Sequence, residues 1–362
     1  MALKLLGTER YAHVGDHAFD PGLGLFARLN VLPTCTACST YSYSVDAVHI
    51  QRQQAAFVKR AAKLGLYEGR VLNLDFHTVP HDGDDSVLDR HGAGAGGKVM
   101  KGVLTLFAQD ADTKLLLNTA ADIQRSEAED QITEFLKFWR HVRRGVAPTL
   151  VFDSRFTTYP KLSELNRTRV RFITLRHRGT NLLKRVDQLD GWARIHIPHD
   201  KRKFPNPEVH ESTITLPHDE GALRQVIVRD NGHEKPAFLI SNDFESPVEL
   251  LVGHYARRWR IEHGIAEAVT FFRLNALSSP IVTKVHFDLA LTTIADTLYS
   301  MLAHRLRGVE DCDAPTLFRH VVDGKSRIEN HGSRVEVTYP RRAPPSGPSA
   351  SRPASARSSS DW

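Results

Sequence analysis

Apolar residues recur in two different rhythms along this chain, and the change from one to the other outlines the elements. Residues 46–64 read as a helix: Asp46 stands at the start as a cap, Arg52, Lys59, Arg60 and Lys63 line one wet face, and Gly65 marks the stop. Residues 70–76 (RVLNLDF) form a short β-like run, followed by a polar loop. Two further β-like runs, MKGVLTLFAQ and KLLLNTA, flank Asp110-Ala111-Asp112 at a spacing that suits an antiparallel hairpin. Ser126 with Glu129 reads as a capping box, and Ile132, Phe135, Leu136, Trp139 and Val142 then recur at helical spacing up to Gly145. TLVFD (149–153) is a fully apolar strand ending in an acid, and VRFITL (170–175) a further strand.

Residues 186–245 change character. WARIHI, STITL, RQVIV and PAFLIS are strand-like, with Asp230-Asn231-Gly232 as a turn signal. At Ser246-Pro247-Val248-Glu249 the pattern returns to one long helix, with Ser246 as cap and Glu249 completing a capping box. Three antiparallel strands, helix, strand, helix, strand, β insertion and long helix is an α/β plan with a mixed sheet flanked by helices. That is the order of an RNase H-like fold. The expected organisation is an N-terminal helical and irregular segment (1–69), a first core part (70–185), the β insertion (186–245), C-terminal core helices (246–340) and a disordered basic tail (341–362).

Composition narrows the class without naming it. The chain has 362 residues, 41% hydrophobic and 25% charged, as in globular proteins. Its net charge of +6 favours an anionic partner, yet half of that excess sits in the tail, where Arg341, Arg342, Arg352 and Arg357 face Asp361 alone. Three cysteines (Cys35, Cys38, Cys312) argue for a reducing compartment. The start lacks a signal-peptide pattern. The most apolar late segment (281–302) is broken by Lys284, His286, Asp288 and Asp296, so a cytoplasmic protein without a membrane span is expected.

The candidate chemistry is acidic. Asp75 and Asp153 close the first and fourth apolar strands, where sheet ends open into a ligand crevice. A carboxylate there needs a partner, and a hard divalent cation supplies one. Asp82, Asp84 and Asp85 compete with Asp75 for the first position. On the long helix Tyr255, Arg258 and Glu262 follow at three- and four-residue steps and share a face. Arg suits bidentate phosphate contact and Tyr suits stacking on a base.

The stretch from Tyr255 through Arg258 and Trp259 to Glu262 resembles the helical signature of DDE insertion-sequence transposases. VLNLDFH resembles their first-Asp strand and LVFDSRFT their second, and a β insertion in this place is also similar. The resemblance spans roughly residues 70–275. It implies a catalytic and metal-binding triad of Asp75, Asp153 and Glu262. It implies two Mg²⁺ or Mn²⁺ ions about 3.5–4 Å apart, cutting transposon ends and joining the 3′-OH to target DNA. It further implies DNA contacts by Tyr255, Arg258 and Trp259, a homodimer or larger assembly on DNA, and a bacterial, nucleoid-associated location. Many members carry a Lys seven residues after the Glu. Here that residue is Val269, and Arg273, one helical turn on, is the nearest basic replacement.

Other signals carry alternatives. Gly92 to Lys98 imitates a phosphate loop but continues with Val99 and reads as a hairpin connection. Asp75, His77, His81 and Asp82 could serve a metal-dependent phosphoesterase or nuclease without strand transfer. Cys35-Thr-Ala-Cys38 lacks partners at zinc spacing and reads as loop. His177, His199 and His218 fit loops. Arg167, Arg169, Arg171, Arg176 and Arg178 alternate around the VRFITL strand, and Arg202 and Lys203 lie in the insertion, as a wet face or a DNA groove. The tail reads as a DNA-touching segment or as an out-of-frame end. The segment before Asp75 is short for an end-recognition domain, as in a truncated or degenerate copy that still binds DNA.

Overall fold

The computed structural model describes residues 1–80, 90–93, 98–121, 123–156, 158–176, 179–186, 188–198, 204–216, 221–232, 234–276, 282–310, 312–324, 326–332 and 334–338. His81, Asp82, Asp84, Asp85, residues 94–97, His177, Arg178, His199, Arg202, Lys203, His218 and the tail lie outside them. In chain order the helices are α1 (Ala2–Leu5), α2 (Pro21–Phe26), α3 (Cys35–Tyr41), α4 (Ala47–Lys63), α5 (Gln131–Val142), α6 (Tyr159–Arg167), α7 (Thr180–Val186), α8 (Val248–Ala256), α9 (Trp259–Thr270), α10 (Val282–Arg305) and α11 (Ala314–Leu317). The strands are β1 (Val71–Pro80), β2 (Arg90–Ala93), β3 (Lys98–Asp110), β4 (Leu116–Ala120), β5 (Thr149–Phe152), β6 (Phe172–Leu175), β7 (Ala193–Arg194), β8 (Glu208–Thr215), β9 (Ala222–Arg229), β10 (Ala237–Ser241), β11 (Arg327–Asn330) and β12 (Val335–Thr338).

Two compact units divide the chain. One comprises Val58–Thr78 and Ser86–Ile265, the other Met1–Phe57, Val79–Asp85 and Ala266–Trp362. The first holds a ten-stranded sheet among the described residues, in the order β2-β3-β1-β5-β6-β10-β9-β8-β7, with β4 beside β3. Val71 takes the amide of Ala111, and His77 takes the Thr105 hydroxyl, so β1 and β3 run antiparallel. β5 runs parallel to β1, and β6 parallel to β5. The order β4-β3-β1-β5-β6 with these directions is the RNase H-like arrangement expected from the sequence. From β6 outward β10, β9, β8 and β7 are all antiparallel, so the β insertion prolongs the same sheet.

Burial explains the pairing. Leu72, Leu74, Leu150, Phe152 and Phe172 are fully buried, and α5 presents the five apolar residues its spacing predicts, all buried. On the sheet face of Val71, Val151 and Ile173 sits α8, through Leu251 and the half-buried Tyr255. Gly69, at φ +74°, leads into β1 directly beneath Trp139, where a Cβ would come within 2.4 Å of the indole. Its N–H donates to Asp110 at 2.9 Å.

In the other unit α10 is buried through Val285, Leu289, Ile294, Ala295 and Tyr299. Its Asp288 forms a buried ion pair with Lys4 at 2.6 Å and accepts from the Tyr11 hydroxyl at 2.5 Å. No helix among the described residues is long and apolar enough to cross a membrane.

Several local expectations need correction. Residues 21–45 contain α2, capped by Asp20, and α3, capped by Thr34, so Cys35 and Cys38 lie on a helix rather than a loop. Neither expected capping box forms: Glu129 accepts from the Thr158 hydroxyl, and the Ser246 hydroxyl donates to Asp243 at 2.6 Å. Asp46, by contrast, caps α4 by accepting from His49 N at 2.8 Å.

Candidate active site

Asp75 is not at the end of its strand. β1 continues to Pro80, because β3 goes on supplying backbone partners after β5 has ended. The β1–β5 pairing stops at Leu74↔Phe152, so Asp75 and Asp153 each follow the last paired residue of their segment and lie side by side. Immediately after Asp153 a short turn, residues 154–156, buries Phe156, whose ring stacks on Phe76 with centroids 4.1 Å apart. Phe76 points away from Asp75 by strand alternation, so the ring stack pins the turn after one acid to the strand that carries the other.

The helix expected to be continuous from Ser246 is broken. α8 ends at Ala256 and α9 begins at Trp259. Across the break the backbone tightens to i→i+3 bonds: Arg258 N to Tyr255 O, Arg260 N to Arg257 O and Ile261 N to Arg258 O, each 3.0 Å. A tertiary contact accompanies the break. Gln109 Nε2 donates to the Arg260 carbonyl at 3.2 Å and to the Lys114 carbonyl at 2.9 Å. Arg260 in turn donates to the Ala111 carbonyl at 2.7 Å. Gly264 permits this approach, since a Cβ there would lie 2.8 Å from Gln109 Nε2. Gly264→Ala is expected to push Gln109 off both carbonyls and to lower stability by about 1–3 kcal/mol. Thermal denaturation checks it; an unchanged melting temperature would show that Gln109 does not hold the helix.

The break leaves Tyr255, Arg258 and Glu262 aligned. Arg258 Nη1 donates to Asp75 Oδ2 at 3.1 Å, and its Nη2 donates to Glu262 Oε1 at 2.6 Å. Its guanidinium carbon stands 5.9 Å from the centre of the Tyr255 ring. Tyr255 packs against core residues of the sheet, and its hydroxyl is pushed up to about 12, first by burial. Trp259 is half-exposed on the first turn of α9, with its ring edge towards His263.

Burial pushes the Asp75 carboxyl up to about 6, with Asp153 and Glu262 adding to the rise and Arg258 opposing it. The structure therefore brings together Asp75, Asp153, Glu262, Arg258 and Tyr255. Arg273 is placed differently from the expectation. α9 stops at Thr270, and Arg273 lies beyond it, at φ 56°, lining a small cavity of the other unit with Lys4 and Asp288. His77 turns towards the Phe107 ring, 6.4 Å between centroids. Among the described residues no three His, Cys, Asp or Glu side chains stand as a ready metal cluster; the Arg258 guanidinium bridges Asp75 and Glu262 instead. Gln109, Arg260 and the Phe76–Phe156 stack each act through a partner far along the chain, so no local pattern in the sequence marks them.

Residues 67–298 match the family described as "Transposase DDE domain". The chain belongs to this family of DDE transposases. One solved structure with a related fold is that of a piggyBac transposase synaptic complex with hairpin DNA, at 14% identity and a TM-score of 0.47, over 72% of this chain and 55% of that one. The chain thus spans little more than half the length of that protein. No curated protein matches it. The matched residues of the DDE transposase family contain β1 with Asp75, β5 with Asp153 directly after it and α9 with Glu262.

Proposed function

We propose that this chain is a DNA transposase whose Asp75, Asp153 and Glu262 form the catalytic triad. The observation that carries the reading is the bridge of Arg258 between Asp75 and Glu262, with Asp153 set beside Asp75 by strand register. Arg258 joins the first and third of these acids, and the second follows the neighbouring strand, within a chain of the DDE transposase family.

The residues fit divalent cations in kind. The donors are all carboxylate oxygens, and burial with neighbouring acids disfavours an ionised Asp75 even beside Arg258, a cost that a bound cation would offset. Asp75, Asp153 and Glu262 would hold two ions, Mg²⁺ or Mn²⁺, which activate an attacking oxygen and stabilise a leaving one. Arg258 bridges Asp75 and Glu262 where a cation would stand and, with its fork of donors, suits a DNA phosphate. Trp259 offers an exposed ring for a base or sugar, and Tyr255 orients Arg258 from beneath. We assign transposon-end and target DNA as substrates, a homodimer or larger assembly on DNA, and residues 1–69 as a DNA-binding region. Arg273 is a further candidate phosphate contact.

The test is incubation with Mg²⁺ or Mn²⁺ and DNA carrying the flanking terminal repeats. Cleavage followed by joining is expected. Cleavage of any DNA without joining would replace the proposal with a nuclease, and binding alone with a non-catalytic remnant. Glu262→Gln is expected to lower cleavage and joining about 10³-fold, the equivalent of about 4 kcal/mol, with DNA affinity kept. A fully active variant would remove Glu262 from the triad.

A further inference from the structure

Opposite the acids, at the N-terminal edge of the same parallel strands, the sheet-bearing unit holds a cavity of about 1150 Å³. Six arginines line it: Arg70, Arg140, Arg143, Arg144, Arg169 and Arg171. They come from separate places in the chain. Arg70 immediately precedes β1, Arg140, Arg143 and Arg144 lie in and after the last turn of α5, and Arg169 and Arg171 lead into β6. Basic residues at one helix C-terminus would be explained by the helix dipole alone. Convergence from the starts of two strands as well is not.

The charges are incompletely neutralised. Arg70 pairs with Glu68 at 2.7 Å and Arg171 with Glu245 at 2.6 Å. No acid among the described residues pairs with Arg140, Arg144 or Arg169. Arg143 spends one Nη on the Glu68 carbonyl, while its Nε is buried without a hydrogen-bond partner among the described residues. Arg169 is held at φ 57°, a left-handed turn that few arginines adopt. The acids on the cavity wall are Asp112, which pairs with Arg257, and Asp243, which accepts from Ser246 and lies 3.9 Å from Arg171, an arginine already paired with Glu245. Trp139 and Leu251 give the floor an apolar patch.

We propose that this arginine cavity binds the phosphodiester backbone of DNA, at a place distinct from Asp75, Asp153 and Glu262. Guanidinium forks match phosphate oxygens in pairs, and several unpaired forks converging on one concave surface match a run of phosphates better than a single anion. From Arg70 to Asp75 the strand climbs about 16 Å. That is about five phosphates along one DNA strand, so the cavity grips backbone remote from any bond at the acids. The assignment rests on charge and geometry at this edge and holds whether or not the acids cut DNA.

The experiment measures binding of the full chain to a fluorescent 20-base-pair duplex of arbitrary sequence, by anisotropy across a salt titration, in chelator and on an Asp75→Asn background. With Arg140, Arg144 and Arg169 all changed to Gln, affinity at low salt is expected to fall at least tenfold. The slope of log affinity against log salt should shrink by two to three, about 0.9 per lost phosphate contact. Arg144→Gln alone should shrink it by about one, which secures the result if the triple variant fails to fold. Changing the exposed Lys184, Arg185 and Lys235 to Gln removes the same charge elsewhere and should leave the slope unaltered. Unchanged slopes in the cavity variants, or equal losses in this control variant, would overturn the proposal. So would displacement of the duplex by poly-glutamate of equal charge, or by tripolyphosphate at equal phosphate concentration, because either would mark a general anion site.

Discussion

Asp75→Asn is expected to abolish strand cleavage and, above about pH 6, to melt higher than the wild type. Both outcomes follow from one placement. The carboxylate is largely buried, its side chain only 17% exposed. Burial raises it from 3.8 to about 6. A raised folded-state value means that the fold prefers the protonated acid. The stability this gives is fully present below 3.8 and is lost as pH climbs through about 6. At pH 8 the ionised group therefore costs at most about 3 kcal/mol, which the neutral amide does not. Melts in chelator at pH 4 and pH 8 check the sign: the two proteins should nearly coincide at the lower pH and separate by several degrees at the higher. Cleavage should meanwhile drop about 10³-fold or more, since a metal-held carboxylate stabilises transition-state charge by several kcal/mol. An active variant would move the first acid elsewhere, and a variant less stable at every pH would mean that Asp75 is structural.

How far such a site could be read from sequence depended on the range of the forces that make it. The apolar runs of β5 and α5 are local patterns, and they became the buried strand and the buried face they promised. The antiparallel insertion was legible for the same reason. β1 ran past its expected end because backbone pairing with β3 does not depend on whether His77 and Thr78 are polar. Both capping boxes failed because Glu129 and Ser246 found other partners, Thr158 and Asp243, that offer the same hydrogen bonds. The helix break at Arg257 and Arg258 goes with Gln109 reaching across from β3, which spacing along one helix cannot reveal. Even so, Arg258 bridges to Glu262 as an i,i+4 pair across a break as it would along a straight helix. The motif survived a wrong picture of its backbone.

Arg258→Gln is expected to have opposite effects on stability and on metal affinity. The Arg258 side chain is 16% exposed and bridges a buried and a surface acid. Removing it leaves ionised Asp75 among Asp153 and Glu262 with its favourable neighbour gone. Breaking a buried pair costs about 3–5 kcal/mol; the exposed Glu262 contact adds less than about 1. A loss of about 3–6 kcal/mol at pH 8 in chelator is the expected sum, shrinking as pH falls below about 6, where Asp75 is protonated in both proteins. On the proposed triad, the same guanidinium would compete with a cation for the same two carboxylates. Without DNA, Mn²⁺ should therefore bind the variant about tenfold more tightly by calorimetry, the equivalent of about 1.4 kcal/mol. With DNA present the variant should cleave poorly, because a phosphate contact is gone. Weaker Mn²⁺ binding would mean that Arg258 positions the acids for the ion rather than standing in its place. That result would leave the triad intact but reverse the role of its central arginine, from competitor of the cation to its support.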